Sequence, residues 1–269
     1  MAPPTLSTTP LHYEERGEGA PVLLLHGLGQ DHSVWSAQIA ELSQRFQVLA
    51  PDLRGHGASV APAGSTFSFD EMEADLTGLL TERGWSSAHV VGLSAGAFLA
   101  LRMTVQQPAQ VRSLVMIAGA GHCDAHTRAV GDSWAEIYRE EGYDAYILRL
   151  LKDVYYPDWI EAHLDYADRL REEERKKDLR GVLQWGVAIR SFDVRAHLGK
   201  IRTPTLIVQG IDDRVVDPSH ARILRQSIPG SEVRLLAQTG HMVPIERPTE
   251  TTQAIRDWVD KVEARAPAP

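Results

Sequence analysis

One serine stands in a sequence context that could make it a nucleophile. Ser94 is the middle residue of Gly92-Leu93-Ser94-Ala95-Gly96, which follows a short apolar run and precedes a run with helical spacing. The two glycines lack Cβ atoms, so a strand and a helix can cross closely at a tight turn. Such a turn points the serine hydroxyl out of the sheet end, where the free N–H groups of the helix also converge. A serine held in this way is suited to attack on a carbonyl carbon.

A second glycine-rich loop, His26-Gly27-Leu28-Gly29, follows the apolar run at residues 21–25. Acyl transfer builds negative charge on an oxygen, and backbone N–H groups in such a loop could stabilise it. The loop could instead only turn the chain. It lacks the Gly-Lys-Ser/Thr sequence of a phosphate-binding loop. No second histidine stands beside His26 at a metal-ligand spacing, which favours a structural role for that histidine.

Size and composition indicate an ordinary globular protein. The chain has 269 residues, of which 43% are hydrophobic and 24% are charged, and its formal net charge is −8. This length suits one large domain or a core with an insertion. No run of lysine and arginine with interleaved aromatic residues is present, so we expect no nucleic-acid partner. The single Cys123 excludes an intrachain disulfide, and the sequence predicts neither a secretory signal nor a membrane span, so we expect a cytoplasmic protein.

Short apolar runs alternate with helical patterns in the first half of the chain. The order strand, helix, strand, helix favours an α/β protein whose parallel sheet is covered on both faces. A weaker alternation at residues 11–15 predicts an edge strand, whereas residues 122–200 predict four helices and no strand. Buried strands are predicted at residues 21–25, 46–50, 88–92, 111–118, 204–210 and 231–236.

The elbow and the loops around it resemble those of the α/β-hydrolases. Residues 92–96 match the nucleophile elbow of that family, and residues 26–29 match its oxyanion loop. Residues 51–59 match its Asp-x-Arg-Gly-x-Gly-x-Ser loop, in which we interpret Asp52 and Arg54 as structural. The resemblance implies a mostly parallel sheet of eight strands with helices on both faces. The chain is most similar to the branch that holds serine esterases, enol-lactonases and C–C bond hydrolases.

The resemblance also implies which side chains assist Ser94. The family places an acid three residues after a glycine that ends a strand, which selects Asp213, with Asp212 as the adjacent alternative. It places the base in a Gly-His loop after the last strand, which selects His241. His241 would take the Ser94 proton, and Asp213 would orient the imidazole and stabilise its positive charge.

The remaining parts of the site follow from the same resemblance. The backbone N–H groups of Leu28 and Ala95 would form the oxyanion hole. This chemistry needs no metal and no organic cofactor, and we expect neither. Residues 122–200 would form a helical cap over a core made of residues 1–121 and 201–269. Four aromatic side chains of the cap are candidates to line the substrate pocket, namely Trp134, Trp159, Trp185 and Phe192.

These features predict a serine hydrolase that cleaves a carboxylic ester or lactone of a small molecule through an acyl-enzyme. A serine nucleophile argues against the haloalkane dehalogenases and epoxide hydrolases, which use a carboxylate. One alternative is hydrolysis of a carbon–carbon bond next to a ketone with the same serine site. Another, from a different class, is a ligand receptor that keeps the hydrolase fold and signals through its cap. A homodimer is compatible with the sequence.

Overall fold

The computed structural model describes residues 9–61, 67–174 and 179–265, in which seven strands form one sheet. The strands are β1 (Tyr13–Arg16), β2 (Ala20–Leu25), β3 (Phe46–Pro51), β4 (Ala88–Leu93), β5 (Val111–Ile117), β6 (Thr205–Gly210) and β7 (Glu232–Leu236). Their order across the sheet is β1-β3-β2-β4-β5-β6-β7. Only β1 pairs antiparallel with its neighbour, and the other pairs are parallel. The predicted α/β class with a mostly parallel sheet is therefore confirmed.

The predicted number of eight strands is corrected to seven within the described residues. The eighth strand was implied by the family resemblance and had no apolar run of its own. Pro10 has no N–H to donate to a ladder, and β1 begins only at Tyr13. The outer limits of the predicted core, at residues 1 and 269, lie outside the described residues.

Helices cover the sheet and fill the connections between its strands. They are α1 (Ser36–Leu42), α2 (Phe69–Glu82), α3 (Ala95–Gln106), α4 (Ala125–Glu141), α5 (Tyr143–Val154), α6 (Pro157–Ala162), α7 (Leu164–Glu174), α8 (Leu179–Arg190), α9 (Ser219–Ser227), α10 (Val243–Glu246) and α11 (Pro248–Glu263). Every residue of β4 and β6 is buried, as expected for central parallel strands that are covered on both faces. None of the helices in the described ranges combines the length and apolar character needed to cross a lipid bilayer.

In its described residues, the insertion between β5 and β6 holds five α-helices, α4 to α8. Its two ends are joined by backbone hydrogen bonds, because Cys123 N donates to Phe192 O at 2.9 Å and Val194 N donates to Gly121 O at 2.9 Å. The chain therefore leaves the sheet and returns to it at one place. Four helices were predicted here. The third is divided into α6 and α7 because His163 has non-helical backbone angles.

A buried ion pair ties the loop after β3 to α2. Arg54 Nε lies 2.7 Å from Asp75 Oδ2, and Arg54 Nη2 lies 2.9 Å from Asp75 Oδ1. The two side chains are 0% and 1% exposed. The Trp185 indole N–H of α8 donates to Arg54 O at 2.9 Å, so the same loop also holds the insertion. Removal of one partner would leave a buried charge without compensation.

We expect Asp75→Ala to lower the free energy of unfolding by about 3–5 kcal/mol, because Arg54 would stay buried without its counterion. The matched control is Asp70→Ala, on the same helix, whose side chain is 63% exposed beside Arg102. That change should cost less than about 1 kcal/mol. Urea unfolding followed by circular dichroism measures both. Equal effects of the two substitutions would contradict the importance of the buried pair.

Candidate active site

Ser94 stands between β4 and α3 in a strained backbone conformation. Its φ is 52° and its ψ is −114°, a region that residues other than glycine seldom adopt. Ser94 N donates to Ile117 O at 2.9 Å, and Ser94 O accepts from Ala97 N at 2.8 Å. These bonds fix the turn from the neighbouring strand and from the following helix. The serine side chain is half-buried at the end of the sheet.

The flanking glycines are required by close backbone contacts. A Cβ atom on Gly92 would lie 2.3 Å from Gly96 O, and one on Gly96 would lie 2.3 Å from Leu25 O. Both distances are far below van der Waals contact, and both neighbours are backbone atoms that cannot move aside easily. The start of α3 therefore lies directly against the end of β2, which brings the loop after β2 next to Ser94.

The loop after β2 approaches the serine through Gly27. A Cβ atom on Gly27 would be 3.4 Å from Ser94 Cβ. Gly27 N donates to Gln30 Oε1 at 2.9 Å, so the loop is closed on itself. Within the described chain, the N–H groups of Leu28 and Ala95 have no hydrogen-bond acceptor. Two free N–H groups beside Ser94 are what stabilisation of an oxyanion requires.

His26 holds this loop as a neutral side chain. It is fully buried, its Nδ1 lies 2.8 Å from Gly27 O, and its Nε2 accepts from Leu53 N at 2.8 Å. Burial, followed by the charge of the neighbouring His56, lowers the pKa of His26 to about 3. A neutral imidazole that donates on one side and accepts on the other joins the loops after β2 and β3. This placement agrees with the structural role expected for His26.

A histidine and a carboxylate meet at the ends of β6 and β7. His241 Nδ1 lies 2.8 Å from Asp213 Oδ2, and the two residues are 4% and 5% exposed. An ionised carboxylate only accepts hydrogen bonds, so a neutral imidazole in this position would donate from Nδ1 and keep the lone pair of Nε2 available. Within the described residues, neither Nε2 nor Ser94 Oγ has a hydrogen-bond partner.

Asp213 is held by a full set of donors. Its Oδ1 accepts from Val215 N at 2.8 Å and Val216 N at 3.0 Å, and its Oδ2 accepts from Gln209 Nε2 at 2.9 Å. Asp212 has a different orientation, and its Oδ2 lies 3.4 Å from Thr239 N. Of the two adjacent acids, the structure brings Asp213 to His241.

Hydrogen bonds to Glu246 hold the loop that carries His241, and the sequence analysis assigned no role to this residue. This carboxylate is 3% exposed. It accepts from Gly240 N at 3.0 Å and from Met242 N at 3.1 Å, the residues on either side of His241. It also accepts from Tyr156 N at 2.9 Å, in the insertion. The signal in the sequence was an acid that ends the apolar run at residues 242–245, five positions after the histidine.

Burial raises the pKa of Glu246 above its ordinary value, although backbone N–H groups and the nearby His241 favour the charged form. A second contact joins the histidine loop to the serine side of the site, because Gln30 Nε2 lies 3.0 Å from Met242 Sδ. The loops that carry Gly27 and His241 are therefore linked through one glutamine side chain. Through Gly27, which lies beside Ser94, this link connects the serine side of the site to the loop that carries His241.

The four predicted pocket aromatics take two kinds of position. Trp185 is 0% exposed, and Phe192 is 4% exposed and stacks on Phe98 with ring centroids 5.0 Å apart. Both pack between the insertion and the core. Trp134 and Trp159 are half-buried within the insertion, where Trp134 Nε1 donates to Asp153 at 2.8 Å. A contact with substrate stays a prediction for all four.

Comparisons with known proteins agree with this architecture. The family model for the alpha/beta hydrolase fold matches residues 20–248. A protein of Azorhizobium caulinodans named "Putative carbamate hydrolase RutD" is 30% identical over 228 residues, which cover 83% of this chain and 84% of the relative. A thermophilic esterase from Thermogutta terrifontis superposes with a TM-score of 0.84 at 28% identity, covering 94% of this chain and 93% of its own.

An enol-lactonase from Burkholderia xenovorans LB400 also superposes, with a TM-score of 0.82 at 27% identity, covering 93% of this chain and 96% of its own. The family match spans every strand from β2 to β7 and every candidate catalytic residue. The chain therefore belongs to the α/β-hydrolase fold family and is a hydrolase.

Proposed function

We propose that this protein is a serine hydrolase that cleaves a carboxylic ester or lactone of a small molecule. The observation that carries the proposal is the buried 2.8 Å hydrogen bond between Asp213 and His241. It is supported by the strained backbone of Ser94 at the end of β4 and by the two free N–H groups of Leu28 and Ala95. The similarity to an esterase and an enol-lactonase at 27–28% identity supports the same substrate class.

The reaction uses groups of this chain alone. His241 Nε2 takes the Ser94 proton while Oγ attacks the carbonyl carbon, and Asp213 stabilises the imidazolium that forms. The N–H groups of Leu28 and Ala95 bind the developing oxyanion. His241 then gives its proton to the leaving alcohol, and the ester bond breaks to leave an acyl-enzyme. Water, activated by the same histidine, releases the acid and restores Ser94.

A second candidate substrate is a carbamate. Relatives that are 26–30% identical over most of the chain carry the name carbamate hydrolase. A carbamate has the same carbonyl carbon, so attack by Ser94 would pass through a similar oxyanion and leave a carbamoyl group on the serine. The two substrate classes therefore differ in the pocket and not in the arrangement of the reacting groups.

We expect Ser94→Ala to lower kcat for short p-nitrophenyl esters by roughly 10⁴- to 10⁶-fold, because no other group supplies the nucleophile. Ser36→Ala, which removes an exposed hydroxyl, is the matched control and should keep full activity. Steady-state rates and thermal unfolding of both variants give the answer. Retained turnover in folded Ser94→Ala would eliminate the proposed mechanism.

A substrate panel separates the alternatives. The wild-type protein is assayed with an ester, a lactone, a carbamate and a vinylogous diketone that contains the C–C bond to be cleaved. Multiple turnovers of ester or lactone are expected. Turnover of the carbamate alone would favour the second candidate, and turnover of the diketone alone would favour C–C bond hydrolysis. One slow turnover with retained product would indicate a receptor.

The neighbouring acids provide a pair of matched variants. Asp213→Asn should lower kcat by roughly 10³- to 10⁴-fold, since the amide would stabilise the wrong imidazole tautomer. Asp212→Asn should change kcat less than about threefold, because its side chain contacts Thr239 N and not the imidazole. The measurement is kcat as a function of pH for both variants. The reverse order of effects would transfer the acid role to Asp212.

Glu246 is expected to act as a positioning residue for His241. In Glu246→Gln one oxygen becomes an NH₂ group, which cannot accept from the N–H groups around the histidine. A small displacement of the imidazole should lower kcat by roughly 10- to 100-fold with less change in KM. Glu250→Gln, an exposed acid on α11, is the control. A loss of thermal stability with unchanged kcat would instead indicate a purely structural role.

A further inference from the structure

Two imidazoles and a buried carboxylate converge outside the proposed catalytic groups. His12 Nδ1 lies 2.9 Å from Asp52 Oδ2, and His32 Nδ1 lies 2.7 Å from Asp52 Oδ1. The ring centroids of the two histidines are 5.3 Å apart. One nitrogen from each ring and one carboxylate oxygen all lie within 4.8 Å of one another. Each imidazole thus faces a different oxygen of the same carboxylate.

The carboxylate in this cluster is fixed and ionised. The Asp52 side chain is 1% exposed, and its two oxygens accept from His32 N at 2.8 Å and Ala58 N at 2.9 Å. Burial by itself raises the pKa of Asp52, but these N–H groups and the His32 imidazole outweigh it and hold the pKa below its ordinary value. Backbone donors that orient a ligating carboxylate are typical of the outer shell of metal sites.

The cluster opens to a cavity and is surrounded by further acids. The cavity has a volume of about 470 Å³ and is also lined by Asp31 and by Glu173 of α7. Glu14 Oε2 lies 3.9 Å from His32 Nε2. His12 is 49% exposed and His32 is 26% exposed, so an ion and its water ligands can reach both rings. The acids around the cavity favour entry of a cation.

We propose that His12, His32 and Asp52 bind one divalent transition-metal ion of the zinc and nickel class. Imidazole nitrogens with one carboxylate suit these ions, whereas magnesium and calcium prefer oxygen ligands alone. An ion between the rings and the carboxylate replaces two N–H···O hydrogen bonds. Each neutral histidine then carries its proton on Nε2 instead of Nδ1, so its own protonation state is unchanged. Water occupies the remaining positions.

The ion would join three separate segments. His12 precedes β1, His32 follows the glycine-rich loop after β2, and Asp52 follows β3. The expected effect is therefore stabilisation of the fold at this edge, and none of the three ligands is among the proposed catalytic groups. The proposal is consequently independent of the substrate and of the identity of the catalytic groups.

The test is a titration of the full-length, tag-free and chelator-treated protein with Zn²⁺ and with Ni²⁺ by calorimetry at neutral pH. We expect one ion per chain and, at saturating metal, a rise in Tm of roughly 3–8 °C. His12→Ala and His32→Ala should each weaken binding at least tenfold. His197→Ala, which removes an exposed histidine elsewhere, should bind as the wild type does. Mg²⁺ and Ca²⁺ should give no saturable binding.

Two results would overturn the proposal. One is the absence of saturable Zn²⁺ and Ni²⁺ binding to the folded wild-type protein, which would leave a hydrogen-bonded cluster only. The other is unchanged stoichiometry and affinity in His12→Ala and His32→Ala, which would place the ion elsewhere. Circular dichroism verifies that each variant is folded, and His12→Gln and His32→Gln provide second variants that keep a polar side chain. Hydrolytic activity is not a readout in any arm.

Discussion

The contact between the start of α3 and the end of β2 is the constraint on which the site depends. Gly96 lies so close to Leu25 O that no Cβ atom fits between them. At the turn that leads into this contact Ser94 has a positive φ, which costs roughly 1–3 kcal/mol for a residue other than glycine. The cost is offset by the buried strands on both sides. In this conformation the Ser94 hydroxyl and the N–H groups at the start of α3 face the loop that carries Leu28.

Much of the fold was predictable because central parallel strands leave a plain signal. Residues buried on both faces of a sheet form continuous apolar runs, so the predicted strand at 46–50 differs by one residue from Phe46–Pro51. The elbow was equally visible, since its glycines are required by local backbone contacts. Asp213 was harder to select, because two acids are adjacent and only the direction of the backbone decides which side chain faces His241.

Other features could not be predicted because they depend on contacts between distant segments. Twenty residues separate His12 from His32, and twenty more separate His32 from Asp52. No local metal-ligand spacing therefore reveals the cluster. The approach of His12 to Asp52 follows from the antiparallel pairing of β1 with β3, and Asp52 N donates to His12 O at 2.8 Å. His32 reaches Asp52 from the loop after β2. The division between α6 and α7 at His163 likewise has no glycine or proline to mark it.

The insertion and the histidine loop form one hydrogen-bonded unit. Val154 O, at the end of α5, accepts from His241 N at 2.8 Å and from Met242 N at 3.1 Å. Glu246, which follows the histidine loop, forms a second bond to the insertion by accepting from Tyr156 N. A change in the insertion that moves this segment also moves the imidazole, so it affects the orientation of the base as well as the shape of any pocket. The position of the end of α5 is therefore coupled to the position of His241 through backbone hydrogen bonds.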